Sequence, residues 1–272
     1  MGNGAAQHSG IGRLTFALCA AVGAACLAQA PALASPWARP GGELLVITRA
    51  EYFRTDLSSE DPNGGAFESL DTNTYFEFGL TPDITIGGKA IYGTSWLTNS
   101  TGSYSDSGFS ELEGYAQYQF LRNNKHAASV RLSAGKPSAF QASARDTLDS
   151  GADLEVAALY GRNLTFGPVQ TFTAMELGYR KRFGTAADLL RGQATLGAKA
   201  GDHWMLLLES FATVSMRNEE PGGADYDIIK IQPSIVYRFN RRWSLQAGMN
   251  EEIAGRNLAR GRTFFLGLWS SF

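Results

Sequence analysis

The sequence predicts an all-β chain: a single antiparallel, up-and-down sheet of about twelve strands, closed into a barrel that crosses a membrane. Three observations predict it. The final strand, Thr263 to Phe272, alternates apolar residues with period two and stops on an aromatic ring. The connections between candidate strands alternate between short turns and long polar loops. After residue 34 no apolar run reaches the length of a membrane-spanning helix, although the chain is rich in glycine and aromatic residues. The slightly negative mean hydropathy fits, because lipid-facing and lumen-facing residues cancel in any window of a membrane barrel.

The two ends frame the barrel. Residues 1–34 read as a cleavable signal peptide: Arg13 gives the positive charge, Leu14 to Leu27 the apolar run, and Ala32-Leu33-Ala34 the cleavage pattern before Ser35. Cys19 and Cys26 both lie in it, and the residues before them match a lipoprotein signal poorly. The expected mature domain, 35–272, therefore has no cysteine, no disulfide framework and no thiol chemistry. A formal net charge of −2 gives no sign of a nucleic-acid partner.

The strands follow in order. Glu43 to Arg54 is the first and Thr72 to Thr81 the second; a Pro82-Asp83 turn leads to Ile84–Trp96. The fourth, Phe109 to Leu121, turns through Arg122–Lys125 into Ala127–Lys136. Ala152 to Tyr160 is the sixth, joined by a moderate Gly161–Pro168 connection to Val169–Lys181. Leu190 to Lys199 turns at Gly201-Asp202 into His203–Met216, and Asp227 to Phe239 turns at Asn240–Arg242 into Trp243–Glu252. Thr263 to Phe272 closes the set. Each is close to the nine to eleven residues a tilted membrane strand needs. Pro233 removes one ladder donor inside the tenth strand, and a bulge is expected there. Long polar connections are expected at Thr55–Asp71, Leu97–Gly108, Pro137–Gly151, Arg217–Tyr226 and Ile253–Arg262. An even strand count puts both termini on the short-turn rim.

Alternation divides the two faces. The lipid face takes residues such as Ile84, Leu206, Leu208 and Ile235. The lumen face takes Arg49, Glu51, Glu77, Lys89, Glu111, Glu113, Arg131, Glu155, Glu176, Arg180, Arg191, Lys199, Glu209, Lys230 and Arg238, with Gln117, Gln119, Gln193, Gln232 and Gln246. A charge on the lipid face would cost about 2–4 kcal/mol near the midplane, and the pattern avoids this almost everywhere. Aromatic girdles are expected from Trp204, Tyr237, Phe239, Trp243 and Phe272 at one rim and from Tyr52, Phe53, Tyr92 and Trp96 at the other. The polar interior suits either a conduit for a small hydrophilic solute or ion, or a salt-bridge network that fills the barrel and passes nothing. Both signs are mixed, so neither anions nor cations are favoured.

Little points to catalysis. His8 falls in the signal, and His126 and His203 fall in short turns, away from the long-loop rim where lipid-modifying barrel enzymes work. Nucleophile-elbow, zinc-protease and phosphate-loop motifs are absent from the sequence. No cofactor is implied. The loop carboxylates Asp56, Glu60, Asp61, Glu68, Asp71, Glu219, Glu220 and Asp225 read as solvated groups, and no metal is assigned.

Phe264, Leu266, Leu268 and Phe272 resemble the C-terminal assembly signal of bacterial outer-membrane proteins, with Ser270 a departure from its usual apolar residue. Gly41-Gly42-Glu43-Leu44, Ser107 to Tyr118, Glu176 to Arg180 and the closing strand are similar to proteobacterial outer-membrane channels, nearest the group associated with the phenol meta-pathway. The resemblance implies a barrel channel in the outer membrane of a Gram-negative bacterium, for small organic solutes, and carries over no binding residues. The expected partners are outer-membrane lipid, lipopolysaccharide and the barrel assembly machinery; the expected state is a monomer. The alternatives are a non-conducting barrel acting through its loops and, third, a lipid-modifying enzyme.

Overall fold

The computed structural model describes residues 35–56, 65–100, 102–137, 151–166, 169–184, 187–216, 226–256 and 258–272. The predicted signal peptide and the loop residues Glu60, Asp61, Glu219, Glu220 and Asp225 lie outside the described residues. Twelve strands form one closed antiparallel barrel in sequence order. They are β1 (Leu44–Asp56), β2 (Gly65–Gly79), β3 (Ile84–Asn99), β4 (Gly102–Arg122), β5 (His126–Pro137), β6 (Asp153–Phe166), β7 (Val169–Arg182), β8 (Leu189–Ala200), β9 (Trp204–Ser215), β10 (Asp227–Arg238), β11 (Trp243–Arg256) and β12 (Gly261–Ser271).

Closure joins the two ends of the chain. β1 pairs with β12 from Leu45↔Ser271 to Thr55↔Gly261, and Leu44 and Phe272 exchange backbone hydrogen bonds of 3.0 and 2.8 Å. No strand edge is left, so the wall's backbone groups need nothing from hydrocarbon. The short turns are fixed by side chains that stand in for the next backbone acceptor. Asn123 Oδ1 accepts from the N–H groups of Lys125 and His126, and Asn240 Oδ1 from those of Arg242 and Trp243, at 2.8–3.0 Å. At the other rim Asp188 receives Tyr179 Oη at 2.6 Å, the Arg182 N–H and Lys181 Nζ. Partial burial works against its ionisation, but these donors hold its carboxyl below the usual range.

Alternation sorts the faces. Leu132, Val156, Leu177 and Phe120 stand outward and exposed, whereas Gln117, Glu155, Thr195 and Glu209 are buried inside. This inverts a soluble protein and matches a barrel solvated by lipid. At the short-turn rim Tyr237 meets Trp204 at a tilt and Phe239 edge-on, and Trp243 meets Phe272 edge-on at 6.2 Å. At the long-loop rim Tyr52, Tyr92 and Trp96 stand outward. Phe53 departs from its expected girdle: it shares the face of Arg49 and Glu51, turns inward, and packs against Phe67 at 6.0 Å.

Further expectations are corrected. The Thr55–Asp71 loop is shorter than expected, since β1 and β2 pair out to Asp56↔Ala66. The Gly161–Pro168 connection is strand almost throughout, since β6 and β7 pair to Phe166↔Val169, so all five turns on that rim are short. The Leu97–Gly108 loop is a paired hairpin whose strands continue to Asn99↔Gly102; polar residues above the membrane level do not stop a ladder whose backbone groups still meet. Pro233 produces no bulge. β10 and β11 keep one register across it, from Ile231↔Glu251 to Ser234↔Gly248, and the shift falls at Ile229/Lys230 instead. Proline withholds a single donor, on the β11 side, while β9 pairs it with Leu208 without interruption.

This placement makes Pro233→Val a stabilising change, because valine supplies the missing N–H and suits an outward strand position. We expect a gain of about 0.5–1.5 kcal/mol, read as a higher urea midpoint in lipid vesicles. Replacing Phe272 by Ser removes the ring that meets Trp243 at the seam. Its expected effect is a smaller folded, heat-modifiable fraction on unboiled gels after refolding.

Candidate functional site in the barrel lumen

Register places the predicted charged residues on the inner wall. Arg49 lies opposite Asn73, Lys89 opposite Glu113, Glu155 opposite Arg180, and Glu209 opposite Gln232. They are not evenly spread. The wall from β3 to β8 holds a network centred on Arg180, whose Nε lies 2.6 Å from Glu155 and whose Nη2 donates to Glu113. Asp153 and Glu111 lie at 3.8 and 3.9 Å from its Nη1. Arg191 shares Glu155 at 2.8 Å, and Lys89 holds Glu111 at 2.7 Å. Beside it Arg131 pairs with Glu176 at 3.0 Å, donates from Nη2 to Gln117 Oε1 at 2.8 Å, and lies 4.5 Å over the Tyr115 ring. Elsewhere Arg49 pairs with Glu51 at 2.7 Å and Lys230 with Glu252 at 2.8 Å. Lys199 and Arg238 stand exposed at the short-turn rim, away from the network.

Buried charges in a confined interior are costly unless paired and hydrogen-bonded, and the network meets that requirement locally. Arg180 answers to several carboxylates, so each one keeps a partner. Next to the network an apolar inner patch of Leu45, Ile47, Tyr75 and Tyr115, with Trp269 against it, fills space that side-chain charge does not.

The sequence reading missed a strap. Residues Ser35 to Pro40 fold inside the short-turn mouth and cross it from the β2–β3 wall to the β6–β7 wall. The Arg39 N–H donates to Thr85 Oγ1 at 2.8 Å, and Arg39 Nε to Glu77 Oε2 at 2.7 Å. The Ala38 N–H donates to Gln119 Oε1 at 3.0 Å. Ser129 Oγ donates to the Pro36 carbonyl at 2.5 Å and Gln117 Nε2 to that of Ser35 at 2.8 Å. Trp37 meets Phe172 edge-on at 6.4 Å. Two glycines make room: a Cβ on Gly79 would lie 2.1 Å from the Pro40 carbonyl oxygen, and one on Gly161 would lie 2.5 Å from Pro36 and from the Trp37 ring. Glu77 ties strap to wall, since it also accepts from Tyr75 Oη at 2.5 Å and Tyr115 Oη at 3.1 Å. The available signal was composition: Pro36, Trp37 and Pro40 are unusual in a free solvated tail.

The assembly-signal residues Phe264, Leu266, Leu268 and Phe272 all face outward and exposed along β12 and its end. His126 lies at the short-turn rim, with Nδ1 2.6 Å from Tyr160 Oη, and His203 Nδ1 lies 2.8 Å from the Arg238 carbonyl at the same rim. Among the described residues no His, Cys, Asp and Glu side chains are grouped to hold a metal ion. At the long-loop rim a cavity of about 530 Å³ lies between Arg54, Glu252, Arg260 and Arg262.

No family model matches the chain, and no curated protein does. Solved structures do match. The COG4313 outer membrane channel from Pseudomonas putida F1 is 13% identical with a TM-score of 0.64, over 89% of this chain and 99% of that one. The NanC porin is 6% identical with a TM-score of 0.55, over 82% of this chain and 98% of the porin. The translocator domain of the autotransporter NalP from Neisseria meningitidis is 12% identical with a TM-score of 0.51, over 96% of each chain. At such identities the likeness is one of fold: the chain has the closed antiparallel architecture of the outer-membrane β-barrels.

Proposed function

We propose that the chain is a narrow outer-membrane channel of a Gram-negative bacterium, passing small hydrophilic solutes or ions, and that the strap holds it closed in this conformation. The observation that carries the reading is the chemistry of the closure. A short segment crosses the mouth, held through side-chain hydrogen bonds and one ion pair, each of which water can replace. Behind it lies a polar wall of matched charges rather than a continuous apolar core. Twelve strands fall between the barrels that side chains fill and those that leave a water channel, so a single segment suffices to close the interior.

The short-turn rim is then periplasmic and the long-loop rim external. Outer-membrane lipid and lipopolysaccharide solvate the exposed apolar exterior, and the closing strand is what the assembly machinery reads. A closed barrel offers no edge for pairing, which favours a monomer. The resemblance to the phenol meta-pathway-associated channels adds small organic solutes to the candidates.

A second reading, a non-conducting barrel, is favoured by one observation: Glu77, Arg131, Arg180 and Glu209 are almost inaccessible to water. Planar-bilayer recordings separate the two. Intact protein is expected to stay closed for most of the record. Deletion of residues 36–39, or Gly161→Val in the full chain, is expected to give discrete, long-lived steps, because the added side chain occupies the place of Pro36 and Trp37. Silence of both variants at every salt and voltage sinks the channel reading. Arg180→Met is expected to destabilise the barrel by about 3–5 kcal/mol under either reading, since it leaves Glu113 without its cation and the buried Glu155 with Arg191 alone; a urea titration in vesicles measures it.

A further inference from the structure

Five carboxylates are buried among the described residues: Glu77, Asp153, Glu155, Glu209 and Glu252. Four have an arginine or lysine nitrogen within 4.0 Å. Glu209 has none. Its one side-chain partner is Gln232, whose Nε2 donates to Oε2. Arg49, whose field reaches Glu209, is bound to Glu51 at 2.7 Å and lies 4.9 Å over the Phe265 ring. Asp71, which also lacks a cation, is half-buried and takes the Ser69 hydroxyl at 2.6 Å.

A second observation falls at the same place. Thr195 lies directly opposite Glu209 on β8, faces inward and is 0% exposed, yet its Oγ1 has no hydrogen-bond partner. Asn250 Oδ1 on β11 is also buried without a partner, as are Ser95 Oγ, Arg182 Nη1, Gln193 Nε2 and Ser215 Oγ at other places, while Asn250 Nδ2 donates to Gln232 Oε1 at 3.4 Å; of these atoms only the Thr195 hydroxyl lies directly opposite Glu209. Buried hydroxyls are otherwise almost always satisfied, so a fully buried Thr195 hydroxyl facing an unpaired carboxylate calls for a further partner. A buried carboxylate without a cation either takes up a proton or binds a positive ion.

We propose that Glu209 and the Thr195 hydroxyl form a binding site for a small monovalent cation in the lumen wall. One carboxylate beside neutral oxygens suits a monovalent ion; divalent sites gather several carboxylates or a near-complete octahedron. Through this ion the β8–β11 wall gives the lumen a cation preference that the mixed charges elsewhere do not supply. The selectivity part rests on the channel reading; the binding part does not.

Two arms test it. In the first, thermal unfolding of the intact protein in detergent is followed with potassium chloride or with N-methylglucamine chloride at equal ionic strength. Wild type is expected to melt higher as potassium rises, with no such rise in the bulky cation. Glu209→Gln, which keeps the shape and the Gln232 contact, is expected to lose the difference, and Thr195→Val to reduce it. In the second, the reversal potential of the Gly161→Val protein is measured across a potassium chloride gradient. Adding Glu209→Gln is expected to lower the cation-to-anion permeability ratio by about threefold. Equal melting in the two salts, or an unchanged potassium response in Glu209→Gln, overturns the site. A potassium response with no conductance in either Gly161→Val or the 36–39 deletion retains the site and overturns the channel.

Discussion

Closure of the backbone hydrogen-bond ladder is the constraint on which the rest depends. In hydrocarbon an unpaired N–H or C=O costs several kcal/mol, so a membrane sheet must end where it began. The β1–β12 seam meets that demand with an unbroken register along the whole contact. Once the ring is closed, every residue's face is fixed by parity, because neighbours across each ladder share a side. Arg180 and Glu155 point inward for the same reason that Leu177 and Val156 point out. The lumen is thus a consequence of closure, and its chemistry is set by which residues occupy alternate positions.

The interior then has its own problem. A ring of twelve strands encloses more space than its apolar side chains fill, and the charged ones it carries must be neutralised without bulk water. Two solutions divide the circumference. Between β3 and β8 arginines bridge carboxylates on strands that are not sequence neighbours, as Arg180 of β7 does in reaching Glu113 of β4. At the short-turn mouth the chain's own segment from Ser35 to Pro40 supplies backbone groups for Gln117, Gln119, Thr85 and Ser129. Both fill volume and satisfy polar groups together. The β8–β11 wall has fewer such pairs, Lys230 with Glu252 among them, and leaves the Thr195 hydroxyl and Asn250 Oδ1 without a partner.

Strand count, inward residues and turn positions were legible because each is encoded locally: alternation marks the face, and Asn123 and Asn240 mark the turns. The pairings inside the lumen were not. Arg180 to Glu113 depends on the curvature of the wall, which period two does not carry. The strap left no periodic signal, since Pro36 and Trp37 belong to no strand; its imprint lies in Gly79 and Gly161, whose meaning emerges only when another part of the chain is seen against them. Strand ends were read too short at the β3–β4 and β6–β7 hairpins because polarity was taken as the end of pairing, when it marks only the end of the apolar belt. Pro233 was read as a distortion when an outward position in one ladder absorbs it.

The irregularity in the β3–β4 hairpin has a different kind of consequence. Ser110 is the extra residue: Glu111 pairs with Ile91, and Phe109 already pairs with Tyr92. On β4, odd-numbered residues face the interior on one side of this point and the exterior on the other. The kink therefore works as a phase insulator. Residues between Gly102 and Phe109 can be exchanged, gained or lost in pairs without rotating Glu111, Glu113 or Tyr115 away from their partners.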